Sequence, residues 1–573
     1  MEVAMRVPYR TRLAGMQRAG WTPRGPERTR YRVHSEADVA VPMADGTVLR
    51  GDLYRPAGAA PCPALLAWSP YNKDLMPTGL PAPFVEPGAV GYLAARGYAV
   101  LVVNARGTGR SGGRLDPVMH SDGERADLCG TIEWLAAQHW CDGSVGMTGM
   151  SYFAVSQLVA AGLRAPALKA VFPFGATTDW YRHGVTHNGT LHSGFMGRYT
   201  AVNGAANRVR LAPEARHALG YVIGTAPVQH LIRRLMAASL PALVRRLPAP
   251  EPWMDRWAAY ALTGARHDEA AAWPTLDRIT VPVLIGSEWS MVGMHLFGAF
   301  EAWHRITAPK KLFIGPRWTK WPWLRYQDEM LDFYDHTLRG ADNGYAELPP
   351  VRYWLHGAER WESASDWPVP GTSTWTLRLA GTELGPSAGG DERAWAAIPA
   401  GMEYPGAFDR FGAQVIGYDS APMPSDVHLV GPVELTLPLR STALDTHVQA
   451  RLSEVDGSGR TQVLAIGWLA AAHRAVDAQR STATETIHDH AAPAPLVPGE
   501  QVELRFSLTP FAQLLRRGRR LRLELGSDPR RLAAPPDHGF IYFEVAGPPY
   551  PARNTVDHAG AELRLSVQGE PPW

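Results

Sequence analysis

Cysteine is almost missing from this chain. The three in 573 residues, Cys62, Cys129 and Cys141, stand far apart, which argues against a disulfide framework. Cys129 falls within a helical pattern, where a thiol serves as a small buried hydrophobe. Net charge is almost missing too: 57 Lys and Arg face 55 Asp and Glu, leaving +2 with neutral histidines. That balance offers no electrostatic footprint for a nucleic acid or another strongly anionic partner. No apolar run is long enough to cross a bilayer. The Arg-rich first thirty residues lack the continuous apolar stretch of a secretory signal. The expectation is a soluble, cytoplasmic protein with no membrane partner. Internal repeats and low-complexity tracts are absent as well.

A chain of this length exceeds one hydrophobic core and should divide into two or three units. Its most informative stretch is 146–154, Gly-Met-Thr-Gly-Met-Ser-Tyr-Phe-Ala. A short strand-like run enters it and an apolar helical run leaves it. This is the setting in which a nucleophilic serine is carried on a sharp strand-to-helix turn. Glycine lets the chain turn where a Cβ would clash. The helix start behind Ser151 supplies unpaired backbone N–H groups and a positive dipole end, both suited to an oxyanion. Ser151 is therefore the expected nucleophile. Phe153 replaces the second glycine of the usual pentapeptide, which calls for a looser helix–strand contact. A serine in an ordinary strand–helix turn is the plain alternative.

Residues 43–56 read as a hairpin around an Asp45-Gly46 turn. Residues 64–68 form a strand ending in Ser69-Pro70-Tyr71-Asn72-Lys73, and 98–104 form a buried strand running into the glycine-rich 105–113. Residues 127–138 are helical, followed by Trp140-Cys141-Asp142-Gly143. These segments, in this order, resemble the CocE/NonD hydrolases, the cocaine-esterase-like relatives of the X-Pro dipeptidyl-peptidases. The resemblance runs from about residue 40 to the end of the chain. It implies that Ser151 is the nucleophile, that the backbone N–H of Tyr152 is one oxyanion donor, and that the hydroxyl of Tyr71 is the other. Two such donors contribute roughly a few kcal/mol of transition-state stabilisation. Ala154 stands for the last glycine of the family's elbow, a small-for-small exchange.

The same resemblance exposes two gaps. The family carries its triad aspartate after a later strand, in a segment like Gly-Trp-Tyr-Asp; the matching stretch, 281–291, has Met291 there. The family histidine follows the last strand, in a segment like Gly-Pro-Trp-Ser-His; the matching stretch, 312–320, has Thr319 there. A serine hydroxyl without a positioned base is a poor nucleophile at neutral pH, and losing a triad's base costs several orders of magnitude in rate. His295, just past Met291, is the candidate replacement base, with Glu288 as a carboxylate beside it. A helix cap or a buried structural histidine is the other reading of His295. Trp289, Met291 and Trp318 flank these positions and are expected to contact substrate. His183, His187 and His192 match no zinc spacing, so neither a metal nor a cofactor is expected. Asp179 is an alternative acid or a cap that fixes its loop.

Strands alternate with helices over 35–180 and 275–345, which predicts a mainly parallel sheet covered on both faces. Strand signals stop over 181–274, where 212–220, 228–238 and 252–262 are helical in pattern. This reads as a helical cap, with Trp253, Trp257 and Tyr260 on one helix face as its core. From 346 onward, short alternating strands punctuated by Gly and Pro predict a β-sandwich, by resemblance the family's jelly roll, with Asp445 and Asn554 in structural roles. Residues 1–34 are an extension. The predicted fold class is α/β: a hydrolase core, an inserted helical cap and a C-terminal jelly roll. The resemblance implies a serine-dependent acyl hydrolase, an esterase or amidase acting on a small-molecule ester or amide through an acyl-enzyme at Ser151. With Met291 and Thr319 at the triad positions, an acyltransferase or cyclase, another non-hydrolytic enzyme, or an inactive binding protein stays open on the same scaffold. The one partner implied is a small molecule; the jelly roll offers surface for a homo-oligomer.

Overall fold

The computed structural model describes residues 31–78, 86–116, 119–192, 199, 203–210, 212, 215, 264–317, 325–399, 412–532 and 545–573. The first sheet contains β1 (Val33–Pro42), β2 (Val48–Pro56), β3 (Cys62–Ser69), β4 (Ala99–Asn104), β5 (Cys141–Met147) and β6 (Leu168–Val171). A small separate hairpin, β7 (Thr186–His187) and β8 (Thr190–Leu191), follows. The sheet resumes with β9 (Val283–Glu288), β10 (Lys310–Gly315), β11 (Val351–Leu355) and β12 (Arg360–Ala364). Its order is β1-β2-β4-β3-β5-β6-β9-β10-β11-β12. The strands from β4 to β11 in that order are parallel, and β1, β2 and β12 are antiparallel additions at the edges.

Strands β3 and β4 are buried along their whole length, as expected of parallel strands with helices on both faces. Those helices include α1 (Val90–Ala94), α2 (Asp122–Ala136), α3 (Tyr152–Gly162), α4 (Ala265–Ala270), α5 (Leu296–Arg305) and α6 (Gln327–Arg339). All of α3 is buried, which is why its sequence is apolar all round rather than along one stripe. Helix α2 begins five residues before the expected 127. Asp122 and Glu124 occupy its first turn; acidic groups suit the positive helix start, but they mask the apolar periodicity there. Helix α6 ends on Gly340 at φ 66°, a left-handed cap that glycine adopts without strain.

The second sheet runs from β13 (Thr372–Ala380) to β23 (Glu562–Gln568) and has eleven strands among the described residues. All but one pairing is antiparallel. Along β17 (Val427–Ser441) burial alternates residue by residue from Gly431 onward, the mark of a strand with one face in a core. Its partner β20 (Gln501–Leu515) is buried almost continuously from Phe506 onward. Beside that half, the amide of His356 donates to Ala512 and the amide of Leu514 to His356, at 3.3 and 2.7 Å, joining the two sheets. Strand β11, expected as the first strand of the β domain, instead pairs with β10. The hydrolase sheet therefore continues through Ala364, and the expected boundary at 346 falls inside it. Asp445 Oδ1 accepts from the amides of Thr446 and Ala472, both at 2.8 Å, and Asn554 Nδ2 donates to Thr446 Oγ1 at 2.9 Å.

Apart from Ala212 and Ala215, the helical patterns over 212–262, with Trp253, Trp257 and Tyr260, lie outside the described residues, as do residues 1–30. Among the described residues no helix is long and apolar enough to cross a membrane.

Candidate active site

The carboxyl ends of β3, β5, β6 and β9 lead into loops that bring Tyr71, Ser151, Trp180 and His295 to one pocket. This is where open α/β sheets bind ligands. His120, Tyr152, Thr177 and Tyr199 complete the polar part of its wall, and its cavity measures about 10 Å³, room for roughly one water molecule.

Ser151 sits at φ 59°, ψ −121°, a conformation non-glycine residues avoid and that costs about 1–3 kcal/mol. Its neighbours hold it there. Its amide donates to Phe174 at 3.2 Å, and its carbonyl accepts from Ala154 and Val155, both at 2.9 Å. Gly149 has φ +125°, and a Cβ at that position would overlap the Cβ of Phe153. The tight helix–strand approach is thus made at Gly149, which is how a fully buried Phe153 fits where a glycine was expected. Tyr152 opens α3, so its N–H has no acceptor within the helix and is available to an oxyanion. Its side chain turns elsewhere, donating to Glu124 Oε2 at 3.2 Å.

Tyr71 follows β3 directly and is 3% exposed. Its amide donates to Ser69 Oγ at 3.1 Å, and its carbonyl accepts from Asn104 Nδ2 at 2.8 Å. The hydroxyl hydrogen-bonds with Ser151 and with Tyr199, and burial holds its pKa well above the ordinary tyrosine value. The phenol therefore keeps its proton and acts as a donor. The rings of Tyr152, Phe153 and Tyr199 meet it edge-on at 6.0, 5.8 and 6.2 Å.

The opposite wall is built differently. His295 precedes the first turn of α5 without a capping bond from its side chain, and its Nδ1 is buried without a partner among the described residues. Burial, then the nearby His183 and His192, push its pKa down to about 3, so the imidazole is neutral at physiological pH. Glu288 does not orient it. Glu288 accepts from the Tyr326 hydroxyl at 3.0 Å and from Ser290 Oγ at 3.3 Å, and burial raises its pKa to about 8. The expected pairing of Glu288 with His295 is replaced by a protonated carboxyl held by Tyr326.

Profiles of known families account for most of the chain. The X-Pro dipeptidyl-peptidase (S15 family) profile matches residues 45–319, and that of the X-Pro dipeptidyl-peptidase C-terminal non-catalytic domain matches 343–566. The chain belongs to the CocE/NonD hydrolases of the X-Pro dipeptidyl-peptidase superfamily. It is 28% identical to the cocaine esterase of a Rhodococcus species over 75% of this chain and 82% of that one. A Mycobacterium bovis protein named as a candidate serine esterase is 27% identical over 88% of this chain and 92% of its own length. The crystal structure of a CocE/NonD family hydrolase from Staphylococcus aureus superposes with a TM-score of 0.75 at 22% identity, covering 94% of both chains. The protein is an enzyme of the serine hydrolase type.

In this CocE/NonD hydrolase the expected substrate contacts separate. Trp289 donates from Nε1 to the Trp354 carbonyl at 2.7 Å, and its ring packs against Phe300 and Trp367. Met291 is 1% exposed, with its sulfur against Gly175 and accepting from Ser287 Oγ at 3.6 Å. Both are core side chains outside the pocket wall, because the chain after β9 folds back onto the sheet before reaching His295. Trp318 and Thr319 lie outside the described residues. His183 bonds Glu485 at 3.1 Å, His192 Nδ1 donates to the Gly184 carbonyl at 3.1 Å, and His187 stacks on Trp468. No three ligating side chains converge among the described residues. Asp179 accepts from the Arg182 amide at 3.0 Å and from Arg182 Nη1 and Arg480 Nη1, both at 2.9 Å. It ties its loop to the β domain.

Sequence reasoning missed His120 and Tyr199 on the wall and Glu124 behind it. His120, at φ 54°, stacks on Tyr152 at 4.5 Å and places Nε2 3.0 Å from Ser156 Oγ. Burial, then Arg125, push its pKa to about 3. Glu124 accepts from the His120 amide and the Tyr152 hydroxyl, and burial raises its pKa to about 8. The available signal was a histidine just ahead of an acidic helix start, on the loop after a core strand. Tyr199 lies where the sequence carries no strand signal, and nothing local marks it.

Proposed function

We propose that the protein forms an acyl-enzyme at Ser151 and hydrolyses a small-molecule ester or amide. The observation that carries this reading is the strained Ser151 backbone, with the Tyr71 hydroxyl bonded to the Ser151 side chain and a neutral imidazole, His295, lining the same pocket. In acylation the Oγ proton passes to His295 as the Oγ–carbon bond forms. The negative charge that develops on the carbonyl oxygen meets the Tyr71 hydroxyl and the Tyr152 amide. His295 then returns its proton to the departing alcohol or amine. Water repeats the sequence on the acyl-enzyme, releasing the acid and free Ser151. No cofactor enters.

The test is labelling of the full chain with a fluorophosphonate, read by intact mass. The expectation is one adduct on the parent, none on Ser151→Ala and strongly slowed labelling of His295→Ala. A folded parent that takes no label would overturn the acyl-enzyme.

A further inference from the structure

The Tyr71 turn is fixed at its base. Asn104 spans it, donating to the Tyr71 carbonyl and accepting from the Lys73 amide at 3.3 Å. Lys73, 1% exposed, places Nζ among Asp38, Asp52 and Asp74 at 2.6, 2.8 and 3.1 Å. Between them stands Asn72, which has no exposed surface. Its Oδ1 accepts from the Asp74 amide at 3.0 Å, so its Nδ2 points away from the turn. That Nδ2 donates to two carbonyls of the segment inserted after β8, Ala206 at 2.8 Å and Val209 at 2.7 Å. The same segment contributes Tyr199, whose hydroxyl bonds that of Tyr71.

The inserted segment therefore grips the oxyanion turn at both ends, by Asn72 at the backbone and by Tyr199 at the hydroxyl. We propose that Tyr199 and Asn72 are positioning residues that aim the Tyr71 hydroxyl at the oxyanion formed on Ser151. A phenol has one proton and one rotatable C–O bond. If Tyr71 gives that proton to Tyr199, the oxyanion loses a donor; if Tyr199 donates to Tyr71, the Tyr71 proton is left for the oxyanion, and the chain of two hydroxyls polarises it further. Asn72 keeps the segment bearing Tyr199 at the distance this needs. Seating of residues 203–210 on Asn72 and the strength of the oxyanion site are thus one property rather than two.

This inference rests on the acyl-enzyme reading, and its test separates the two. Fluorophosphonate labelling rates are measured on the parent, Tyr199→Phe, Tyr71→Phe and the double variant. Tyr199→Phe should slow labelling about tenfold, within the range of coupling between contacting residues, and have less than a twofold effect once Tyr71 is Phe. Asn72→Asp keeps the acceptor and loses both donors, so it should slow labelling as Asn72→Ala does. Thermal melting accompanies each variant, and Tyr199→Phe should melt close to the parent. Parental labelling of Tyr199→Phe, or equal slowing with and without the Tyr71 hydroxyl, overturns the positioning role and leaves the acyl-enzyme standing. An unlabelled parent overturns both.

Discussion

The two walls of the pocket are held by different kinds of structure. On the nucleophile side, a backbone turn and a helix start place Ser151 and the Tyr152 amide, and three polar residues fix the Tyr71 turn. On the His295 side, Nδ1 of that histidine has no partner among the described residues, Glu288 is taken by Tyr326, and Met291 fills the core beside Gly175. An oxyanion site made largely from backbone geometry depends on short contiguous motifs. A base with an orienting acid depends on side chains from two separate loops, which can change while the sheet beneath them stays intact. A wall built from local motifs and a wall assembled from separate loops therefore answer differently to substitution.

The largest effects should come from opposite walls. His295→Ala is expected to slow fluorophosphonate labelling by roughly 10²–10⁴-fold, the range for a general base. An unchanged rate would move the base to His120, the other imidazole on the wall. Tyr71→Phe is expected to cost roughly 10²–10³-fold, the range for one oxyanion donor. The pH profile sharpens the contrast. With its pKa near 3, His295 stays unprotonated as pH falls, so the initial labelling rate should hold level from pH 8 to about 5. An inflection near the ordinary histidine value of about 6.5 would show an imidazole that is not buried as His295 is. Stability follows the opposite rule. His295 in the unfolded chain titrates at its ordinary value, so its contribution is fully present above about 6.5 and is lost as pH falls toward 3.

Gly149→Ala probes the nucleophile wall alone. A methyl group there meets Phe153 and imposes a positive φ on alanine. A loss of about 2–4 kcal/mol is expected from overlap plus backbone strain, read as a lower melting temperature with labelling abolished. Retained labelling would mean that the elbow tolerates opening.

What the sequence disclosed follows the same division. Strands β3, β4 and β5 and the Ser151 elbow are legible because periodicity, glycine placement and a strand–turn–helix order are local properties. Tyr71 is legible because it directly follows a core strand. His120 and Tyr199 are not: His120 stands in a turn at positive φ just ahead of α2, and no periodic or turn signal in the sequence marks Tyr199. The bonding of Glu288 is not legible for a related reason. Its sequence position beside His295 says nothing of Tyr326, which comes from beyond β10 and takes the carboxyl first. The apolar pattern of β11 and β12 would serve either sheet, and only the pairing of β11 with β10 places them in the first.

The smallest effect on catalysis, and the sharpest test of the asymmetry, is Glu288→Gln. With burial holding its pKa near 8, Glu288 is protonated at neutral pH, and glutamine preserves an acceptor for Tyr326. Labelling should stay within about twofold of the parent, whereas an orienting triad acid made neutral costs about 10⁴-fold. Stability should change with a definite sign. In the unfolded chain this carboxyl ionises above about 4.5, but the fold keeps it protonated until about 8. The unfolded state therefore binds fewer protons across that window, and the parent loses up to about 1.4 kcal/mol per pH unit as pH rises through it. The contribution is fully present below about 4.5 and gone above about 8. Glutamine carries no such penalty, so the stability difference, measured by denaturant unfolding at several pH values, should grow in favour of the variant from about pH 5 to 8 and then level off. A pH-independent difference accompanied by a large loss of labelling would make Glu288 an ionised partner of His295, and the two walls would then be equally complete.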